Sequence, residues 1–209
     1  PALFLGAPLA GLAAVILASV ILWRSQLFPE AVFIGDLIVV VYLLTMPAVC
    51  VVMGAFASGN PLASIGGSRE MKLILAYELP FVLAVIVPII GNQSIRLDVI
   101  LAEPSAVTRL SGVLALLVAV LCTQAKLTLV PFDAPEAETE LTGGAYVEYS
   151  GPPLAMLKLT RAMMLFTMPV FLVTVFWGGF GIGAGILAVG GGILKYLCIV
   201  VVIVLVRNT

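Results

Sequence analysis

LAGLAAVILASVILW at residues 9–23 and YLCIVVVIVLV at residues 196–206 are apolar on every side. A helix packed against a soluble core keeps one polar face, and a barrel strand alternates. Runs of this kind are helices that face lipid and one another. Working outward from them, apolar stretches recur at residues 2–23, 31–56, 71–90, 110–130, 153–177 and 186–206. Each is near the roughly 20 residues that cross a ~30 Å hydrocarbon layer as helix. Composition agrees: 62% of residues are hydrophobic, 10% are charged, histidine is absent and the mean hydropathy is +1.24. So much apolar surface excludes an ordinary soluble domain. The expected fold is all-α: a polytopic transmembrane bundle of about six spans, one integral membrane domain over residues 1–209, with structured cytoplasmic loops at 57–70 and 131–152. The first stretch is too long for a secretory leader and lacks a small-residue cleavage site, so it reads as a span.

Six crossings put both ends of the chain on one side of the membrane. Arg69, Lys72, Lys126, Lys158, Arg161 and Arg207 gather at one face, and Arg24, Arg96, Arg109 and Lys195 at the other. The positive-inside rule makes the first face cytoplasmic, in a cytoplasmic (inner) membrane. Trp23 and Trp177 both fall at the opposite interface, as an aromatic belt requires.

Catalytic chemistry is hard to find. Cys50, Cys122 and Cys198 stand singly within spans, with no paired spacing and no histidine to complete a ligand set. They read as small packing residues. No metal site, bound cofactor or catalytic residue is expected in this chain, and nothing suggests nucleic acid. The eight glycines within residues 178–192 read as close helix packing or a turn.

Five of the eleven acids lie in PFDAPEAETELTGGAYVEYSG, residues 131–151. Asp133, Glu136, Glu138, Glu140 and Glu148 sit there, with no Lys or Arg between residues 127 and 157. Pro131 ends the fourth span, Asp133 caps a short helix with Glu136 three residues later, and Gly143 and Gly144 stop it. Glu136 and Glu140 would share a face. A solvated acidic face is the plain alternative, but Phe132, Tyr146 and Tyr149 interleave with the acids and point to a folded loop.

Other charges sit where they are costly. Glu78 lies about eight residues, or ~12 Å, into the third span, and Pro80 follows it. The proline cannot bond to the carbonyl of Ala76, so the helix is expected to kink there and open a polar pocket. Desolvation favours the neutral form of such a carboxyl, which could then hold a proton and release it. Asp36, at the start of the second span, reads as solvated or dipole-stabilised. Lys126 can snorkel to the boundary or pair with a loop acid. Lys158 and Arg161, at i and i+3, can bind lipid headgroups or neutralise the loop. Arg69, Glu70 and Lys72 sit at a helix start, where charges need no special explanation.

PFDAPEAETEL followed by GGAYVEYSG is similar to the signature of the H-type membrane subunit of bacterial respiratory complex I, whose relatives include energy-converting, membrane-bound nickel-iron hydrogenases and formate hydrogenlyase. GAFASGNPLASIGGSREMKLILAYE, residues 54–78, resembles the family's other cytoplasmic loop and its acid-bearing helix, and GDLI at residues 35–38 adds to the match. The family's first and last helices are expected to lie outside this chain. PPLAMLKLTRAMMLF, residues 152–166, resembles the hydrogenase-like branch more than the quinone-reducing branch, where a FALFFLAEY-type run is usual.

The resemblance implies a membrane subunit that joins a peripheral redox arm to antiporter-like membrane subunits. It would couple electron transfer to H⁺ or Na⁺ translocation without redox chemistry of its own. The coupling residues are then Glu78, Asp133, Glu136, Glu138, Glu140, Glu148, Lys126 and Asp36. Arg69, Glu70, Tyr146, Tyr149, Lys158 and Arg161 would dock partners. Those partners would be hydrogenase-like large and small subunits and an iron-sulfur subunit, carrying the nickel-iron centre and the clusters. A quinone-binding subunit of an NADH- or F420H2-quinone oxidoreductase and a sulfur-reducing relative are the alternatives within the family. A secondary transporter is the alternative outside it, although no internally repeated halves are visible.

Overall fold

The computed structural model describes residues 2–28, 35–135, 143–182 and 185–208. Among them the secondary structure is helical: α1 (Ala2–Leu27), α2 (Asp36–Ala57), α3 (Pro61–Asn92), the short α4 (Leu97–Ala102), α5 (Leu110–Lys126), α6 (Gly151–Trp177) and α7 (Ile186–Asn208). Single 3₁₀ turns occur at Ala106–Thr108 and Gly144–Tyr146. Five of these helices are long and apolar enough to cross a membrane. α5 is apolar but has 17 residues, at the short end of the ~17–25 that span a bilayer.

α6 is the central helix. It packs on α1, α5 and α7, and every residue from Thr167 to Phe176 is buried. Phe171 and Phe176 join Leu22 and Val15 of α1, Leu44 of α2 and Phe81 of α3 in one core. α7 is peripheral, with Gly192, Ile199 and Ile203 buried.

Two expected boundaries move. The polar stretch at 57–70 is mostly helix, because α3 begins at Pro61 and runs 32 residues, or ~48 Å. The Asn60 side chain accepts the Leu62 N–H at 2.9 Å, and Pro61 stands at a first-turn position where a missing N–H costs nothing. The glycines of SIGGSRE suggested a loop, but they serve close approach. A Cβ on Gly66 would lie 2.8 Å from the Gly144 Cα, and one on Gly67 2.9 Å from the Ala55 Cβ. At the other boundary, α5 ends at Lys126, before Pro131. Thr128 takes a left-handed φ of 48°, which turns the chain three residues ahead of the proline.

At the end of the bundle opposite residues 143–151, Gln26 forms a bracket. Its Nε2 donates to Thr174 Oγ1 and its Oε1 accepts the Phe180 N–H, both at 3.0 Å. Trp23 stacks on Phe180 with ring centroids 5.4 Å apart, and Lys195 Nζ donates to the Trp177 carbonyl at 2.9 Å. Both tryptophans are partly buried against the core, so at this end they also join helices together.

Candidate functional site

The last residue of α5 organises the site. Lys126 is buried, at 6% exposure, and its Nζ donates to Glu78 Oε2 of α3 at 3.2 Å. The ammonium lies over the Phe81 ring at 4.4 Å and the Tyr77 ring at 5.5 Å. An ammonium taken out of water is costly unless paired, and the carboxylate and two ring faces together offset that cost. Lys126 therefore neither snorkels outward nor pairs with an acid in the described part of the loop. Glu78, in turn, is not isolated.

Because α3 starts earlier than expected, Glu78 lies 17 residues beyond Pro61, ~26 Å along the axis, not ~12 Å. It keeps the proline beside it: Pro80 lies inside the helix and leaves the Ala76 carbonyl without its usual partner. The Tyr77 hydroxyl is buried and has no hydrogen-bond partner among the described residues.

From Lys126 a cavity of about 60 Å³ extends beneath the segment that follows α5. Glu70, Thr128, Tyr146, Thr160 and Arg161 line it with the lysine. A water needs some 10–15 Å³ of such space, so the cavity has room for a few. Glu70 is only 5% exposed, a buried carboxylate and not a helix-start charge. The spacing carries the signal that composition hid: Ala63, Gly66, Glu70, Tyr77, Phe81, Ala84 and Pro88 are all buried, at helical intervals that run through the apparent loop.

Arg161 reaches over the same cavity from α6. Its Nη2 donates to the carbonyls of Thr128 at 3.2 Å and Leu127 at 3.4 Å. A guanidinium there satisfies carbonyls just past α5 and opposes the negative end of its dipole. Lys158, three residues earlier, stays exposed.

The loop is seated by residues on both of its flanks. Arg69 Nη1 donates to the Ala134 carbonyl at 3.2 Å. Asn60, the cap of α3, donates through Nδ2 to Glu148 Oε1. Tyr149 inserts between α1 and α2: its ring stacks on Phe4 at 4.2 Å, its hydroxyl donates to the Phe4 carbonyl at 3.0 Å, and Gly54 leaves the space it fills. Burial raises the pKa of this phenol above its ordinary value, so it remains a donor across the physiological range. Tyr149→Phe is expected to cost about 1 kcal/mol of stability, read as a small drop in thermal midpoint with helix content unchanged.

Of the coupling residues expected from sequence, the structure brings Glu78 and Lys126 into contact. Asp133 and Glu148 are exposed on the loop flanks. Glu136, Glu138 and Glu140, with the short helix expected around them, lie outside the described residues. Asp36 is at the far end of the bundle, at the start of α2, and at 2% exposure it is buried, not solvated. Tyr146 is half-buried against the cavity. Among the described residues no group of three or more Cys, Asp or Glu side chains is placed to hold a metal ion.

The sequence matches the family model described as NADH dehydrogenase over residues 1–209. The H-type subunit of the NADH-quinone oxidoreductase of Geobacillus thermodenitrificans is 34% identical over 163 residues, covering 76% of this chain and 49% of the relative. The subunit of the same name from Anoxybacillus flavithermus is 37% identical over 130 residues, 62% of this chain and 39% of the relative. The chain thus spans about half the length of the curated relatives it matches, or less. Among solved structures, a chain of the membrane-bound sulfane sulfur reductase, an archaeal respiratory membrane complex, superposes with a TM-score of 0.86 at 27% identity, covering 99% of this chain and 70% of that one. With the family model matched over the whole chain and the acid-bearing α3 helix, the cavity and the seated loop in place, this chain belongs to the NADH dehydrogenase family of H-type complex I membrane subunits.

Proposed function

We propose that the chain is the coupling subunit of a complex I-like, ion-translocating oxidoreductase, holding the peripheral redox arm at residues 131–151 and passing its signal to buried charges. The observation that carries this reading is the Lys126–Glu78 pair, whose enclosed ammonium lines, with Glu70 and Arg161, a cavity directly under the loop. Movement of the loop changes the distances among these charges. At an effective dielectric near 20, two unit charges ~4 Å apart interact by about 4 kcal/mol. That is roughly a thousandfold in a protonation equilibrium, enough to make the pair take up or release a proton. The chain supplies no redox centre in this scheme.

The expected partners are hydrogenase-like large and small subunits, an iron-sulfur subunit and antiporter-like membrane subunits, with the nickel-iron centre and clusters in those partners and the acidic loop in the cytoplasm. The run at residues 152–166 supports the hydrogenase branch. A sulfur-reducing complex is the second reading, favoured by the superposition on the sulfane sulfur reductase chain. Metal and quinone content of the intact complex separates the branches: nickel without quinone supports the first, and quinone without nickel overturns it.

Glu78→Gln tests the coupling role. Electron transfer to an artificial acceptor should persist, while ion translocation falls about tenfold or more, since an amide cannot carry the charge that an intramembrane acid contributes. Unchanged translocation by this variant would sink the proposed role.

A further inference from the structure

At the end of the bundle opposite the loop, a groove of about 370 Å³ runs between α2 and α3, lined by Leu37, Val41, Tyr42, Val82, Ile86 and Ile89 among others. Over residues 82–89 it follows α3 for ~10 Å. A second, more open hollow adjoins it, sharing Ile89 and Ile95 and otherwise lined by Ile90, Gln93, Ser94 and Arg96. Together the adjoining hollows form a depression with an aliphatic body and a head of hydrogen-bond donors.

The donors are held in place. Gln93 caps α3 in a left-handed conformation, φ 50°. Ser94 Oγ accepts the Arg96 N–H at 3.2 Å, which leaves its hydroxyl proton to donate outward. Asp98 fixes the guanidinium through both oxygens, at 3.1 Å to Nε and 2.7 Å to Nη2. Arg96 Nη1 is left unengaged by any described residue, on a side chain 42% exposed. These hydrogen bonds hold the Asp98 carboxyl below its ordinary pKa, so the clamp is complete at neutral pH and is lost only on acidification through that lowered value.

The lining also says what does not lie there. Helices in this bundle approach one another at small residues: Gly11 of α1 meets Cys50 and Pro47 of α2, and Gly67 of α3 meets Ala55 of α2. Membrane helix contacts generally need such residues. The groove has none of Gly, Ala, Ser or Thr along its body, so a flexible chain fits it better than a helix backbone.

We propose that this depression is a phospholipid site, with an acyl chain in the α2–α3 groove and the phosphodiester held by Arg96 Nη1, Ser94 Oγ and Gln93 Nε2. Phosphate is the headgroup chemistry that an Arg fork and neutral donors recognise together. Its test is lipid retention by the intact, detergent-purified complex, counted by native mass spectrometry and lipid extraction. Arg96→Gln should lower retention of one phospholipid about fivefold, the worth of one basic residue at a lipid surface. Ile86→Trp, which fills the groove and leaves the clamp intact, should lower the same species. A photoactivatable acyl probe should label residues 82–89 in the unaltered complex and fail to do so in Ile86→Trp. Lipid retention unchanged from the unaltered complex in either variant overturns the site, as does a crosslinker placed at residue 86 that captures a partner helix in place of lipid.

Discussion

Lys126→Met is expected to lower stability by about 1–3 kcal/mol, because it leaves the half-buried Glu78 carboxylate without its counterion. The magnitude follows from the asymmetry between making and breaking an ion pair with one enclosed member. Together the two charges nearly balance their desolvation, whereas one alone has nothing to balance it. Lys126 is the more deeply buried member, its side chain fully enclosed against 26% exposure for Glu78. Its loss also removes the cation from the faces of Phe81 and Tyr77, worth up to about 2 kcal/mol in a desolvated site. The double variant Glu78→Gln with Lys126→Met should recover most of the stability, since neither residual group then carries charge. It should not recover ion translocation. Thermal unfolding of the four members of the cycle gives the coupling energy directly, and additive losses would show that the pair contributes nothing as a pair.

Gly66→Val is expected to unseat the acidic loop. A Cβ at this position would stand 2.8 Å from the Gly144 Cα and 3.0 Å from the Ala145 nitrogen, and both are backbone atoms that cannot rotate aside. Overpacking of this kind costs about 1–3 kcal/mol, and here the strain falls on the 3₁₀ turn that lines the cavity with Tyr146. The loop should lift from α3 while α3 itself survives, because valine costs a helix under about 1 kcal/mol. In the intact complex the expected result is faster proteolysis within residues 131–151, weaker retention of the peripheral subunits and loss of coupling. The control is Gly6→Val, at a helix glycine with open space around it, which should change none of these.

How much of this was legible in the chain depends on where each residue's partner lies. The spans could be read because an all-apolar run needs no partner to be recognised: lipid requires it. Glu78 stood out for the same reason, as a carboxyl and a proline inside such a run. Its pairing with Lys126 could not be read, since the two are 48 residues apart and nothing local joins them. Glu70 was hidden more thoroughly. The glycines and serines around it look like a loop when helix propensity is counted, yet the tertiary approach of Gly66 to Gly144 overrides that propensity. Arg161 was legible as a charge near the loop, but its contact with the carbonyls past α5 follows from where α6 crosses α5. Asp36 misled because a carboxylate at a helix start is usually wet, and here the bundle closes over it.

In the proposed coupling, the Lys126–Glu78 pair converts loop movement into ion movement without carrying electrons. Its most direct test is the ratio of ions translocated to electrons transferred, measured in proteoliposomes holding the intact complex with the Glu78→Gln, Lys126→Met double change. Electron flow should continue while the ratio falls close to zero. A ratio equal to that of the unaltered complex would contradict the coupling role of the pair.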